Sequence, residues 1–379
     1  MRDYQRTVFG EMSALATRIG AINLGQGFPD TGGPKRVRDA ALEALAAGIG
    51  DQYPPAHGDL ELRRAISEHQ QRFYGLTVDP DTEVVVTTGA SEALAASTLA
   101  LVEPGSDVMV LDPYFDIYAS QIALAGANRI AVPLTAQDLR PDVSAMRAAV
   151  TPATRVLILN SPHNPTGIVF SPDELKQLAQ FAVEHDLLVI SDEAYEHLWF
   201  DDNQHIPIST LPGMWERTVT IGSGGKSFSF TGWKVGWATG PADLIRAVRV
   251  VRQHLSYVSG GPFQHAFTVG LRLPDEYFDS FRADLAAKRD RLCAGLQEVG
   301  LRVLQPQGTY FASTDVRPLG FRDADEFCER MPAEAGVVAI PQTALSDHPE
   351  VTDPYVRWAF CKRPEMLDEG VRRLREWLG

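Results

Sequence analysis

Cysteine is scarce in this chain: 379 residues hold only Cys293, Cys328 and Cys361. An odd number without C-x-x-C spacing supports neither a disulfide framework nor a zinc site, and it points to a reducing compartment. A basic excess is also lacking. The formal net charge of -14 repels nucleic-acid phosphate unless a basic patch is segregated, and no such cluster occurs. Arg246, Arg249 and Arg252 recur every three residues and read as one side of a helix, solvated or facing an interface. No run is apolar for long enough to span a bilayer, and residues 1–10 mix charge and polarity without the apolar core of a secretion signal. A cytoplasmic protein that uses neither membrane nor nucleic acid is expected. Internal repeats and low-complexity tracts are missing too, and 44% hydrophobic with 22% charged residues is ordinary globular composition.

What is present exceeds one ordinary hydrophobic core, so two domains are expected. From about residue 83, short β-branched runs alternate with amphipathic segments, the rhythm of an α/β protein with a mostly parallel central sheet and helices on both faces. The predicted strands are 83–88, 108–111, 129–132, 156–159, 187–191 and 219–221. Helices are predicted at 91–102, 118–125, 143–149, 172–185 and 242–254, with Ser171 capping the fourth and Pro172 at its first position. After Gly260-Gly261-Pro262 the pattern changes to longer helices and then strands at 302–304, 309–312, 337–339 and 355–360, a smaller α+β lobe. The expected division is an N-terminal segment, 1–40, packing with the small domain, a large domain, 41–277, and a small C-terminal domain, 278–379.

Four motifs fall at predicted strand ends. Thr88-Gly89-Ala90-Ser91 joins a strand end to a helix start, where free N–H groups and the helix dipole cradle an anion; an ordinary capped helix has the same letters. Asn160-Ser161-Pro162-His163-Asn164-Pro165-Thr166-Gly167 is an irregular loop at the edge where open α/β sheets bind ligands, or a tight structural turn. Ser191-Asp192-Glu193-Ala194-Tyr195 puts an acid at a strand end, able to face a cationic ring or to satisfy a nearby loop. Ser223-Gly224-Gly225-Lys226-Ser227 fails as a phosphate-binding P-loop because Thr220 stands where a glycine is needed. It fits S-x-x-K of the penicillin-recognising hydrolases, but the S-D-N and K-T-G partners are absent. Two readings remain for Lys226: a solvated lysine in a flexible Gly/Ser loop, or a Schiff-base lysine, which accounts for all four motifs together.

The set H-N-P-T-G with Asn164, S-D-E-A-Y with Asp192 and Tyr195, Ser223-x-x-Lys226 and Lys234 eight positions on resembles the class I/II aminotransferases of fold type I. The likeness runs from Leu24-Gly25-Gln26-Gly27-Phe28-Pro29 to Arg357. The N-L-G-Q-G-F-P-D opening, Gln52-Tyr53 and T-G-W-K-V-G-W resemble its kynurenine aminotransferase group. M-S-A-L-A-T-R-I-G-A, Q-Y-P-P and N-S-P-H-N-P-T-G are similar to an actinobacterial branch assigned as N-succinyldiaminopimelate aminotransferases of lysine biosynthesis.

The resemblance implies the pyridoxal 5'-phosphate-dependent transferase fold and transfer of an α-amino group between an L-amino acid and a 2-oxo acid, with 2-oxoglutarate and glutamate as one pair. It implies that Lys226 holds the cofactor and moves the substrate proton, that Asp192 pairs with the pyridine nitrogen, and that Asn164 and Tyr195 bond the ring hydroxyl oxygen. Phe115 stacks on the ring, unless it is plain core. Gly89, Ala90, Ser91, Ser223 and Lys234 hold the phosphate, helped by Tyr53 of a second subunit in a homodimer with shared sites. Lys234 departs from the arginine common in the class and is a less directional charge. Arg357 clamps the substrate α-carboxylate beside Asn164 and Gly27, and Phe9 stands near the substrate side chain or packs on the other subunit. No metal is expected. Kynurenine, glutamine and methionine compete as amino donors. The same motifs would also serve β-lysis of cysteine S-conjugates, or a non-catalytic ligand-binding or regulatory protein on the same fold.

Overall fold

β1 (Ile22–Asn23) pairs in parallel with Val337–Val338, far along the chain, and so ties the N-terminal stretch to the C-terminal third. The computed structural model describes residues 7–379; residues 1–6 of the expected N-terminal segment lie outside the described residues. Three helices beyond the predicted ones precede the main sheet: Val8–Ile19, Lys35–Ala46 and Leu60–Tyr74. Thr7 caps the first, its hydroxyl accepting from the Gly10 amide at 3.1 Å.

The β-branched runs assemble as β2 (Val84–Thr87), β3 (Asp107–Asp112), β4 (Asn128–Pro133), β5 (Thr154–Asn160), β6 (Leu188–Asp192), β7 (Thr218–Ser223) and β8 (Gly236–Thr239). They form one seven-stranded sheet in the order β2-β8-β7-β6-β5-β3-β4, parallel except that β8 runs antiparallel to both its neighbours. β8 is not among the predicted strands. At four residues, with Gly236 and Ala238 as alternate positions, it is too short to show a β period, and its pairing between β2 and β7 is what makes it a strand.

Side chains alternate across the sheet as the strand period demands. Val108, Val110, Val156 and Ile158 join the core under the Ala90–Leu101 helix, while Met109, Leu111, Leu157 and Leu159 join the core under Pro172–Glu184. Arg252 corrects the expectation of a solvated basic face. Arg246 is exposed, but Arg252 is fully buried, its guanidinium 3.8 Å from Glu92 and donating to the Ala56 carbonyl at 2.6 Å.

Beyond the main sheet lie β9 (Arg302–Leu304), β10 (Phe311–Asp315), β11 (Val337–Val338), β12 (Ile340–Pro341) and β13 (Tyr355–Ala359). Four of them make an antiparallel sheet, β12-β13-β10-β9, and β11 pairs with β1. The predicted strand at 309–312 begins later because Thr309, at φ 63°, turns the chain just before it. The predicted strand at 337–339 divides into β11 and β12 on either side of Ala339. The helices Asp275–Glu298 and Pro364–Leu378 cover this sheet, burying Leu292, Leu296, Leu367 and Leu374 with Val356, Trp358 and Phe360.

Candidate active site

β2, β5, β6 and β7 end on one edge of the main sheet, so their terminal motifs converge there although as many as 136 positions separate Thr87 from Ser223 along the chain. The convergence encloses a cavity of about 270 Å³. Its walls include every candidate residue named above except Tyr53: Phe9, Gly27, Gly89, Ala90, Ser91, Phe115, Asn164, Asp192, Tyr195, Ser223, Lys226, Lys234 and Arg357. Tyr53 is 80% exposed and meets Tyr257 edge-on, with ring centroids 5.6 Å apart.

At one end, Gly89 caps the Ala90–Leu101 helix at φ 76°, with no side chain bonded to the first-turn amides. Those amides, the Ser91 and Ser223 side chains and the Lys234 ammonium surround one corner. A Cβ on Gly89 would stand 3.1 Å from Lys234 Nζ and would have to adopt the left-handed φ of 76°, which favours glycine here. Such a corner suits a dianion: unpartnered N–H groups, a helix N-terminus and one lysine.

Asp192 lies at the end of β6 and is buried. Its Oδ2 accepts from Tyr118 Oη at 2.6 Å and its Oδ1 from the Ala194 amide at 3.2 Å. Burial raises its pKa, partly offset by these two hydrogen bonds and by Lys226. Asn160 braces it: Nδ2 donates to the Asp192 carbonyl at 2.8 Å, and Oδ1 accepts from the Asn164 amide at 2.8 Å.

Lys226 sits in a one-turn helix, Gly224–Ser227, rather than in a flexible loop. Its Nζ donates to Tyr310 Oη at 2.7 Å and lies 3.4 Å from the Gly27 carbonyl. Burial lowers its pKa to about 8, and the charges of Arg357 and Lys234 push the same way against Cys361 and Asp192. Near neutrality a useful fraction of this amine is unprotonated.

Arg357, in the middle of β13, forms the opposite wall. Nη1 donates to Asn164 Oδ1 at 2.9 Å and Nη2 to the Gly25 carbonyl at 2.7 Å, while Nε has no partner. Phe311 and Phe9 flank the guanidinium at 4.0 and 4.6 Å. Burial lowers its pKa to about 10. The charge of Asp116 reaches this guanidinium without an ion pair closing on it, so a buried cation with an unbonded Nε suits an anionic ligand.

Tyr118 and Tyr310 were not foreseen. Neither belongs to a motif, and each reaches its partner, Asp192 or Lys226, across 74 or 84 positions of chain.

A model of the class I and II aminotransferases matches residues 19–374. The chain belongs to the class I and II aminotransferases. This aminotransferase is 51% identical to the probable N-succinyldiaminopimelate aminotransferase of Mycobacterium tuberculosis, over 99% of the chain and 96% of that protein. It is 36% identical to kynurenine–oxoglutarate transaminase 3 of Mus musculus, over 98% of the chain and 88% of that protein. The solved N-succinyldiaminopimelate aminotransferase of M. tuberculosis superposes with a TM-score of 0.97 at 52% identity, covering 100% of this chain and 98% of that one.

The enzyme is therefore dependent on pyridoxal phosphate, and the cavity fits that group. The corner at Gly89 suits its phosphate, the buried carboxylate of Asp192 has no ion-pair partner among the described residues and suits a cationic ring nitrogen, and the Lys226 amine lines the same cavity. No helix among the described residues is long and apolar enough to cross a membrane.

Proposed function

We propose that this aminotransferase takes the amino group of N-succinyl-LL-2,6-diaminopimelate and passes it to 2-oxoglutarate, in lysine biosynthesis. Arg357 carries the reading for the reaction: a buried guanidinium with a free Nε faces Lys226 and Asp192 across one cavity, and so demands an α-carboxylate. The 51% identity to the M. tuberculosis protein supports the donor. A second cavity of about 470 Å³ adjoins the first across Phe9 and Phe115 and offers room for a long substrate side chain.

In this reading Gly89, Ala90, Ser91, Ser223 and Lys234 would hold the phosphate, Phe115 would cover the ring, and Asp192 would pair with the ring nitrogen and keep it protonated. Asn164 Oδ1 accepts from Arg357, which would leave its Nδ2 to donate to the ring hydroxyl oxygen of the bound cofactor, with Tyr195 as the second donor. Bound pyridoxal phosphate supplies an electron sink for the pair left as the Cα proton departs. Lys226 Nζ would be the base that takes up that proton, holds it inside the cavity and gives it back. Arg357 and the Gly27 backbone orient the substrate so that the Cα–H bond meets this amine. Phe9 packs over the carboxylate end and excludes water.

The working unit is a homodimer in which Tyr53 reaches the partner's phosphate corner. Tyr53, Tyr257, Leu255 and Ile49 are all exposed apolar side chains in one stretch of structure around the Gly50–Gly261 contact, which supports a buried face there. The chain divides into 1–40, 41–277 and 278–379, a reading supported by the core around the β10–β13 sheet, which is built mostly from C-terminal residues and takes in Ile22 and Leu24 of the first segment. The three buried, unpaired cysteines suit a cytoplasmic location.

The test is a panel of amino donors with 2-oxoglutarate, followed by glutamate formation. N-succinyldiaminopimelate should exceed kynurenine, methionine and glutamine in kcat/KM by at least about tenfold, or 1.4 kcal/mol. A higher value for any of those donors would replace the substrate. Pyruvate and ammonia released from a cysteine S-conjugate without an acceptor would reveal a β-lyase.

A further inference from the structure

Away from the cavity, a second group of chemically capable side chains is sealed inside the protein. His69 comes from the Leu60–Tyr74 helix, and Glu196 and His197 follow Tyr195 in the segment after β6. All three are buried, and one ligand-type atom from each lies within 4.8 Å of the others. We propose that His69, Glu196 and His197 form a divalent-cation site, suited to Zn²⁺, that pins this helix to the segment bearing Asp192 and Tyr195.

The geometry is that of a contracted coordination shell. His69 Nε2 and His197 Nε2 face each other at 2.7 Å, and Glu196 Oε2 stands 3.9 Å from His69 Nε2. These separations bracket the spacing of about 3.3 Å that ligands bonded at about 2.0–2.1 Å have around a tetrahedral zinc. Small side-chain shifts therefore admit an ion. Glu196 Oε1 is buried and has no hydrogen-bond partner, so a bidentate carboxylate completes a set of two nitrogens and two oxygens. Tyr74 Oη donates to Glu196 Oε2 at 2.7 Å and fixes the carboxylate's orientation, as outer-shell groups do.

Charge points the same way. Glu193 lies beside Glu196 and holds His205 at 2.9 Å and Ser191 at 2.8 Å. Two carboxylates thus share a sealed space whose own contacts are imidazoles and hydroxyls. Arg72 and Arg282, the nearest arginines whose charge reaches His197, are each paired elsewhere, with Asp275 and Asp279. Phe73 and Phe278 wall the group with rings 4.8 and 4.3 Å from His197 and exclude water. On binding, the proton held between the two Nε2 atoms moves to a ring Nδ1, and any proton on Glu196 leaves to solvent. The expectation of no metal rested on cysteine spacing, which is blind to ligands 127 positions apart.

The test uses the cofactor-loaded enzyme, stripped with a chelator and titrated with Co²⁺ as a visible probe. One equivalent per chain with ligand-field absorption, displaced by Zn²⁺, is expected, together with a Tm that rises with Zn²⁺ concentration. His69→Gln and Glu196→Gln should each lower Co²⁺ affinity at least about tenfold; Gln at 196 can still accept from Tyr74, so this variant guards against simple misfolding. Failure of the wild-type enzyme to take up stoichiometric Co²⁺ overturns the site. So does uptake with the same spectrum and affinity in both variants.

Discussion

Arg357 Nη1 is bonded to Asn164 Oδ1 at 2.9 Å, so the side chain expected to bind substrate and the one expected to bind the cofactor ring are held by each other. Arg357→Lys keeps a charge but loses the fork that reaches Asn164 and the Gly25 carbonyl together. Loss of one charge-assisted bond of about 1.5–3 kcal/mol should lower kcat/KM by roughly ten- to a hundredfold for both amino and oxo acid. Cofactor content, read by absorbance, should stay near wild type. An unchanged kcat/KM would remove Arg357 from the substrate site.

Asp192→Asn is isosteric and removes only the charge proposed to face the ring nitrogen. Preorganised charge of this kind is worth about 2.7–4 kcal/mol, so kcat should fall about a hundred- to a thousandfold with the cofactor still bound. Tyr118→Phe removes the 2.6 Å hydrogen bond that works against burial, and so should raise the Asp192 pKa further. The cofactor's absorbance should then titrate at a shifted pH. Coincident titrations in wild type and variant would show that Tyr118 does not tune Asp192.

Burial disfavours the Lys226 ammonium, which places its pKa near 8 rather than at lysine's usual value. In the cofactor-free enzyme the amine is therefore mostly charged below about pH 8 and mostly neutral above it. Capture of pyridoxal phosphate in stopped flow should accelerate about tenfold per pH unit up to that point and then level off. A rate still climbing at the same slope to pH 10 would mean an unperturbed lysine.

Gly236 in β8 backs directly onto the Gly89–Ala90 turn, where an added Cβ would stand 2.6 Å from the Ala90 amide nitrogen. Gly236→Ala should displace that turn and weaken cofactor binding by roughly 1–3 kcal/mol, about ten- to a hundredfold in Kd by equilibrium dialysis. Wild-type affinity in this variant would mean that the turn is not a phosphate contact.

Much of the site was legible because its motifs sit where strands end. Gly89-Ala90-Ser91, Asn164, Asp192 and Ser223-x-x-Lys226 each follow a run of Val or Ile, and each lines the cavity. The unforeseen parts have no such address. β8 is recognised by its neighbours rather than by its residues, Thr309 shifts β10 through its backbone angle, and Arg252 is drawn inward by Glu92.

Local order along the chain determined the strand–turn–helix units and which side chains stand at their C-terminal ends, because a period of two and a capped turn are properties of adjacent residues. Only the tertiary structure decided which ends meet. It set Tyr310 against Lys226, Tyr118 against Asp192 and Arg357 against Asn164, and it turned His69 toward His197 across 128 positions. The physical reason is that burial and proximity create these properties: a lowered lysine pKa, a buried guanidinium with one unbonded N–H and facing imidazoles exist only once water has been excluded around them.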